Sequence, residues 1–128
     1  MLGAALLASS VCCATDRIAG GQWEYTMTGD GSPRTVKSCV TAEDAGGLNA
    51  DSKEGRIYTE KKSKGRCSIK SYEAVGDRIS YTLVCGGREI ESVTTFHGGD
   101  KSEGTLSTTV DGETVKTQVS ARRLGACP

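Results

Sequence analysis

The chain has 128 residues, the size of a single domain. Its 16 Lys and Arg residues balance 16 Asp and Glu residues, so the net charge is zero, which excludes a general electrostatic pull toward nucleic acid or membrane. One Trp, one Phe and four Tyr promise only a modest core, for which covalent support is expected, and 17 glycines set between β-branched runs mark turns between short strands.

Residues 1–14 differ from the rest. Leu2 to Ala8 is a short apolar run, small residues follow, and no charged side chain interrupts. This is the pattern of a secretory signal peptide, too short to span a bilayer, with cleavage expected after Ala14. The usual Lys or Arg before the apolar run is missing, which leaves room for a start further upstream. A lipoprotein signal is the rival, but Val11-Cys12-Cys13 matches it poorly. A buried N-terminal helix is the bland alternative, and no polar period supports it.

Residues 15–128 then form the domain. Trp23, Tyr25 and Met27 alternate with Glu24 and Thr26, as in a half-buried strand. Gly29 to Pro33 is a loop, and Arg34 to Val40 is a second strand. Thr41-Ala42-Glu43-Asp44 fits a capping box, and Gly46-Gly47 is expected to stop the helix after about one turn. Residues 48–64 are polar with little period and read as a long loop, with at most a short strand around Ile57-Tyr58. From Cys67 onward the chain is a meander. Strands Cys67–Ala74 and Arg78–Cys85 flank a three-residue loop, Val75-Gly76-Asp77, with a bulge. Arg88–Phe96 turns at Gly98-Gly99-Asp100 into Glu103–Val110. Asp111-Gly112 is a strong two-residue turn that pairs Thr108 with Val115 and Leu106 with Thr117. The last strand runs from Thr114 to about Arg123.

The expected fold is all-β: six or seven antiparallel strands in a meander, one short helical turn, and a strongly curved sheet or half-open barrel. A two-sheet sandwich is the alternative. With the leader removed, Cys39, Cys67, Cys85 and Cys127 remain, an even count that implies two disulfides in an exported domain. Three pairings are open to four cysteines. The hairpin register places Cys67 opposite Cys85, and Cys39–Cys127 follows by elimination. Zinc is a weak alternative, because there is no C-x-x-C pair and one histidine.

Few residues point to chemistry. His97 is the sole histidine, at a strand end, with no Gly-x-Ser-x-Gly segment to supply a serine nucleophile. A solvated turn histidine is the stronger reading. Glu89 and Glu91 share one strand face, where two carboxylates can do acid–base work, but nothing else marks a cleft there and a solvated outer face is the stronger reading. Trp23, Tyr25 and Met27 are candidates to line a ligand cavity, although at strand spacing such a stripe is more often core. Alternation sends one of Arg122 and Arg123 inward, where it needs a partner. Lys53, Arg56, Lys61, Lys62, Lys64 and Arg66, with Lys70 beyond, form a basic stretch opposed only by Glu54 and Glu60. It is the best local hint of a partner, an anionic envelope surface; a solvated loop is the bland reading. Tyr58 is its only aromatic, so nucleic-acid binding is not expected.

Taken in order, several segments resemble a family of small bacterial exported proteins, domain of unknown function 3617. They are Gly21-Gln22-Trp23-Glu24-Tyr25, Cys39-Val40-Thr41-Ala42-Glu43-Asp44, Cys67 and Cys85 around a Val-Gly-Asp turn, Gly104-Thr105-Leu106, and the ending Arg122-Arg123-Leu124-Gly125-Ala126-Cys127-Pro128. The resemblance spans nearly all of the chain beyond the leader. It implies export to the periplasm and brings no activity or catalytic residue with it. The leading expectation is therefore a monomeric, non-enzymatic exported module without cofactor or metal. A lipocalin-like carrier of a small apolar ligand is second, and a hydrolase with an unrecognised site is third. A cavity beside Trp23 would favour the carrier, and His97 in a cleft with an acidic partner would favour the enzyme.

Overall fold

The computed structural model describes residues 16–29 and 31–128; the expected leader and its cleavage point lie outside the described residues. Seven strands form one antiparallel sheet: β1 (Gly21–Thr28), β2 (Arg34–Val40), β3 (Ser68–Val75), β4 (Arg78–Cys85), β5 (Arg88–His97), β6 (Lys101–Val110) and β7 (Glu113–Gly125). Two helices, α1 (Ala42–Leu48) and α2 (Ser52–Lys62), lie between β2 and β3. The strand order is β2-β1-β7-β6-β5-β4-β3, so the meander from β3 to β7 is met by the β1–β2 hairpin. The sheet stays open, with β2 and β3 as its edges, and a two-sheet sandwich is excluded.

The turns follow local chemistry. Asp111 and Gly112 both have positive φ, 50° and 81°, as a type I′ turn requires. The expected pairs Thr108–Val115 and Leu106–Thr117 form. The β3–β4 hairpin differs in one detail. Gly76-Asp77 makes a two-residue turn that closes on Val75 and Arg78, and the extra residue is absorbed at Lys70, between Ile69 and Ser71. The bulge keeps Ile69 opposite Leu83, as expected. It also moves Tyr72 and Ala74 onto the face of Ile69, where both pack against the core.

The expectation of one helical turn followed by a loop is corrected. Both hydrogen bonds of the Thr41–Asp44 capping box are present, but α1 continues through Gly46-Gly47 to Leu48. A Cβ at position 47 would fall 2.1 Å from the Tyr58 ring, so glycine is what lets α1 and α2 touch. The presumed loop over 48–64 contains α2. Asp51 caps it by accepting from the Glu54 N–H, and Lys61 and Lys62 sit in its last turn, where a helix dipole favours cations. Only Gly55 of α2 is buried, lying against Tyr72, so no apolar period betrays the helix in sequence.

Trp23 is fully buried and forms one cluster with Ile18, Val40, Ile79, Phe96 and Ala121. Its indole N–H donates to the Ala19 carbonyl at 2.9 Å. Tyr25, Ala45, Leu48, Tyr72, Ala74 and Tyr81 pack around this cluster, so residues from β1 to β5, β7 and α1 share one core. α1 contacts edge strand β2, α2 contacts edge strand β3, and the helices contact each other. A flat seven-stranded sheet would hold its edges about 29 Å apart, at about 4.8 Å per spacing. One packed helix pair, with axes about 10 Å apart, reaches both edges only if the sheet curls around it. The result is one open sheet, curved around the Trp23 cluster, whose core face the helices stopper.

Arg17 sets the stopper in place. Its side chain is buried, at 3% exposure, yet among the described residues no carboxylate pairs with it. Nε donates to the Gly76 carbonyl at 2.6 Å, and Nη1 donates to those of Leu48 and Ala50 at 3.0 and 2.8 Å. Asn49 completes the joint: its Oδ1 accepts from the N–H groups of Arg17 and Ile18, and its Nδ2 donates to the Ile18 carbonyl. The guanidinium also caps carbonyls at the C-terminal end of α1, where a cation is favoured.

Both expected disulfides are present. Cys67–Cys85 closes the β3–β4 hairpin, and Cys39–Cys127 ties the segment after β7 across β1 to edge strand β2.

Two predictions follow from this frame. Cys39 and Cys127 are 88 residues apart, so Cys127→Ser should lower stability by about 4–5 kcal/mol in denaturant unfolding. His97→Ala, an exposed change, should stay within about 0.5 kcal/mol. Arg17→Met keeps the bulk but strands three carbonyls, and is expected to cost about 2–5 kcal/mol by the same measurement. A melting temperature equal to that of the parent chain would show that the joint is dispensable.

Candidate functional site

Two surfaces bring polar or charged side chains together. The first is built on α2. Its inner face is fixed to the sheet. Ser52 Oγ accepts from the Ala74 N–H at 2.9 Å, and Arg56 Nη2 donates to the Ile69 carbonyl at 2.9 Å. Its flank is latched to α1. Tyr58 donates its hydroxyl to Asp44 Oδ1 at 2.7 Å, and Lys62 Nζ lies 3.0 Å from the same oxygen. The Tyr58 hydrogen bond holds the Asp44 carboxyl well below the usual carboxylate range, against the effect of burial, with Lys62 and Thr41 assisting. Burial, and then the bond to Asp44, push the Tyr58 hydroxyl well above its ordinary value. Burial raises Tyr25 too, and the nearby Asp44 charge adds to it.

The structure thereby divides the basic stretch. Arg56 and Lys62 are engaged by the fold. Lys53, Lys61, Lys64 and Arg66 are exposed and form no salt bridge among the described residues. Lys53, Ile57 and Lys61 recur at four-residue spacing, which aligns them on the outward face. Ile57 is 52% exposed at its centre.

The second surface is a polar depression on the sheet face opposite Trp23. Glu24 and Thr26 of β1, Ser120 and Arg122 of β7, Glu103 of β6 and His97 of β5 line it. Arg122 pairs with Glu24 at 3.0 Å, and His97 Nε2 lies 3.2 Å from Glu103 Oε1. His97 thus has an acidic partner in a depression, the arrangement that would favour an enzyme. The rest of a nucleophile–base pair is not assembled. Glu103 occupies Nε2, no hydrogen bond joins Ser120 to the ring, and both members of the pair are more than half exposed. An exposed pair of this kind contributes at most about 1 kcal/mol.

The remaining candidates are dispersed. Trp23 is in the core, Tyr25 and Met27 are half-buried on the same sheet face, and none of the three lines the depression. Glu89 bonds Lys70 at 2.9 Å, and Glu91 shares the outer polar face with Ser71, Thr82 and Ser107. Alternation separates the two arginines. Arg122 lies with Glu24, and Arg123, on the Trp23 face, donates Nε to the Gly20 carbonyl at 2.7 Å rather than to a carboxylate. Among the described residues, no three His, Cys, Asp or Glu side chains gather as a metal centre needs. No described helix is long and apolar enough to cross a membrane. Sequence reasoning missed the helical setting of the basic residues and the Tyr58–Asp44 bond. The signal that could have found α2 is Asp51-Ser52-Lys53-Glu54, a capping pattern.

The sequence pattern of a family described as protein of unknown function (DUF3617) matches residues 18–127. The chain belongs to that family. No curated protein and no solved structure matches it. The match starts at Ile18 and ends at Cys127, so it takes in both disulfides, both helices and all seven strands. The disulfides point to an oxidising, exported compartment.

The latch generates a prediction with a definite sign. The Asp44 carboxyl is held below its unfolded value, which is near 3.9. Its stabilisation is therefore present above about pH 4 and is lost as the pH falls. Asp44→Asn should cost about 1–2 kcal/mol at neutral pH. The gap between parent and variant should narrow steadily in unfolding curves taken from pH 5 down to pH 2. A gap constant across that range would show that Asp44 acts through shape alone.

Proposed function

We propose that this member of the family is a non-enzymatic module of the cell envelope, exported to the periplasm, that binds anionic lipid headgroups through the outward face of α2. The observation that carries the reading is the division of labour on that helix. Its inner residues are consumed by the fold, while Lys53 and Lys61 flank an exposed Ile57 on the outward face and Lys64 is exposed just beyond the helix's end. Lysines near an anionic surface contribute about 1 kcal/mol each, and a central aliphatic side chain adds contact with the acyl boundary. Rigid attachment to β3 matters, because the charges then need no ordering when they meet the surface. Glu54 and Glu60 on the same helix hold the attraction to a moderate, reversible level.

The test is sedimentation of the leaderless, oxidised protein with vesicles of phosphatidylglycerol or of phosphatidylcholine. Binding is expected to the anionic vesicles only, and to weaken as salt rises. Replacing Lys53, Lys61 and Lys64 together by Gln should weaken it about 100-fold, from three contributions of about 1 kcal/mol. Equal binding to both vesicle types, or an unchanged affinity in the triple variant, would overturn the reading.

A further inference from the structure

The two edges of the open sheet are treated differently. β3 is sealed. α2 lies along it, Ser52 Oγ takes the Ala74 N–H and donates to its carbonyl, and Arg56 takes the Ile69 carbonyl. The bulge at Lys70 interrupts the strand as well. β2 is left open. Six of its seven residues, Arg34 to Cys39, are exposed, and only Val40 is buried. Among the described residues no side chain of another element hydrogen-bonds its backbone, and its ladder partner is β1 alone. Alternate N–H and C=O groups along its outer side are therefore free to pair.

We infer that the β2 edge is a docking strand for an extended, acidic segment of another protein, which adds an eighth strand to the sheet. Three observations select this occupant. First, the strand is already ordered: β1 pairs with it from Gly21–Val40 to Met27–Arg34, and Cys39–Cys127 anchors one end. Ordering β2 therefore costs the encounter nothing, and main-chain pairing supplies affinity. Second, charge chooses the partner. β2 carries Arg34 and Lys37 and no acidic side chain. The nearest carboxylate across the ladder, Glu24, is already paired with Arg122. Third, the same charges act against a second copy of this chain. Antiparallel self-pairing about the strand centre sets Lys37 opposite Lys37 and brings four cations to one seam. Lysine on an edge is a common guard against self-association, and here the guard also specifies what is admitted. A segment with acidic residues facing Lys37 and an apolar residue beside Val36, which is 45% exposed, fits both faces of the strand.

This inference is independent of the lipid reading, because it uses a different element and a different probe. The experiment is an amide chemical-shift titration of the oxidised protein with a capped seven-residue peptide alternating Val and Glu. A Val–Lys peptide is the control. Shifts are expected along Arg34–Val40 and its partner β1 with the acidic peptide only. The double variant Arg34→Glu, Lys37→Glu should lose at least tenfold in affinity for it and turn to the Lys peptide. Both positions are exposed, and an unchanged spectrum of β4 to β6 confirms that the variant is folded. No shifts at millimolar peptide, shifts on β3 or α2 instead, or undiminished binding in the double variant would overturn the proposal. A concentration-dependent dimer through β2 without peptide would assign the edge to a second copy and overturn it equally.

Discussion

A buried guanidinium answered only by backbone carbonyls is the joint on which this fold turns. Burying a charge is costly unless it is fully hydrogen-bonded, and Arg17 is held by Leu48, Ala50 and Gly76, with no counterion among the described residues. Those carbonyls belong to the link between the helices and to the β3–β4 turn. One side chain thus connects the segment before β1, the end of α1 and the far hairpin. Short range and good geometry make the arrangement work, since planar N–H donors meet fixed acceptors. Asn49 repeats the logic beside it with both ends of its amide.

From that joint the rest of the architecture follows. A single open sheet has an apolar face to cover and two edges to protect, and this chain has two short helices with which to do it. α1 and α2 cover the Trp23 face, and their mutual contact depends on Gly47 against Tyr58. α2 performs a second task by sealing β3 through Ser52 and Arg56. With both helices used there, the outer backbone groups of β2 have no partner among the described residues. Two surfaces remain exposed once the core has been satisfied: the outer side of α2 and the edge of β2.

The polar depression around His97 gathers a histidine, carboxylates and a serine on one sheet face. Within it the imidazole Nε2 meets Glu103 and no hydrogen bond joins it to Ser120. Arg122 and Glu24 neutralise each other at the other end. The same sheet face carries mostly Ser, Thr and charged side chains, which fits a solvated outer surface.

The strand pattern, the Asp111-Gly112 turn, both disulfide pairings and the family were legible in the amino-acid order. Period-two alternation and tight turns are local signals, and a hairpin register settles which cysteines face each other. Local signals also carried the Thr41 capping box. They failed at Gly46-Gly47, where intrinsic preference ends a helix but contact with Tyr58 continues it. They failed again over 48–64, because a helix that buries one glycine leaves no hydrophobic period to read. The place of the bulge at Lys70 was likewise decided by which face Tyr72 and Ala74 had to reach. Only the tertiary structure could make β1 the neighbour of β7, bury Arg17, spend Lys62 on Asp44 and leave Lys61 free. Each of these depends on groups 18 to 103 residues apart, or on competition for one partner, and neither is encoded in spacing along the chain.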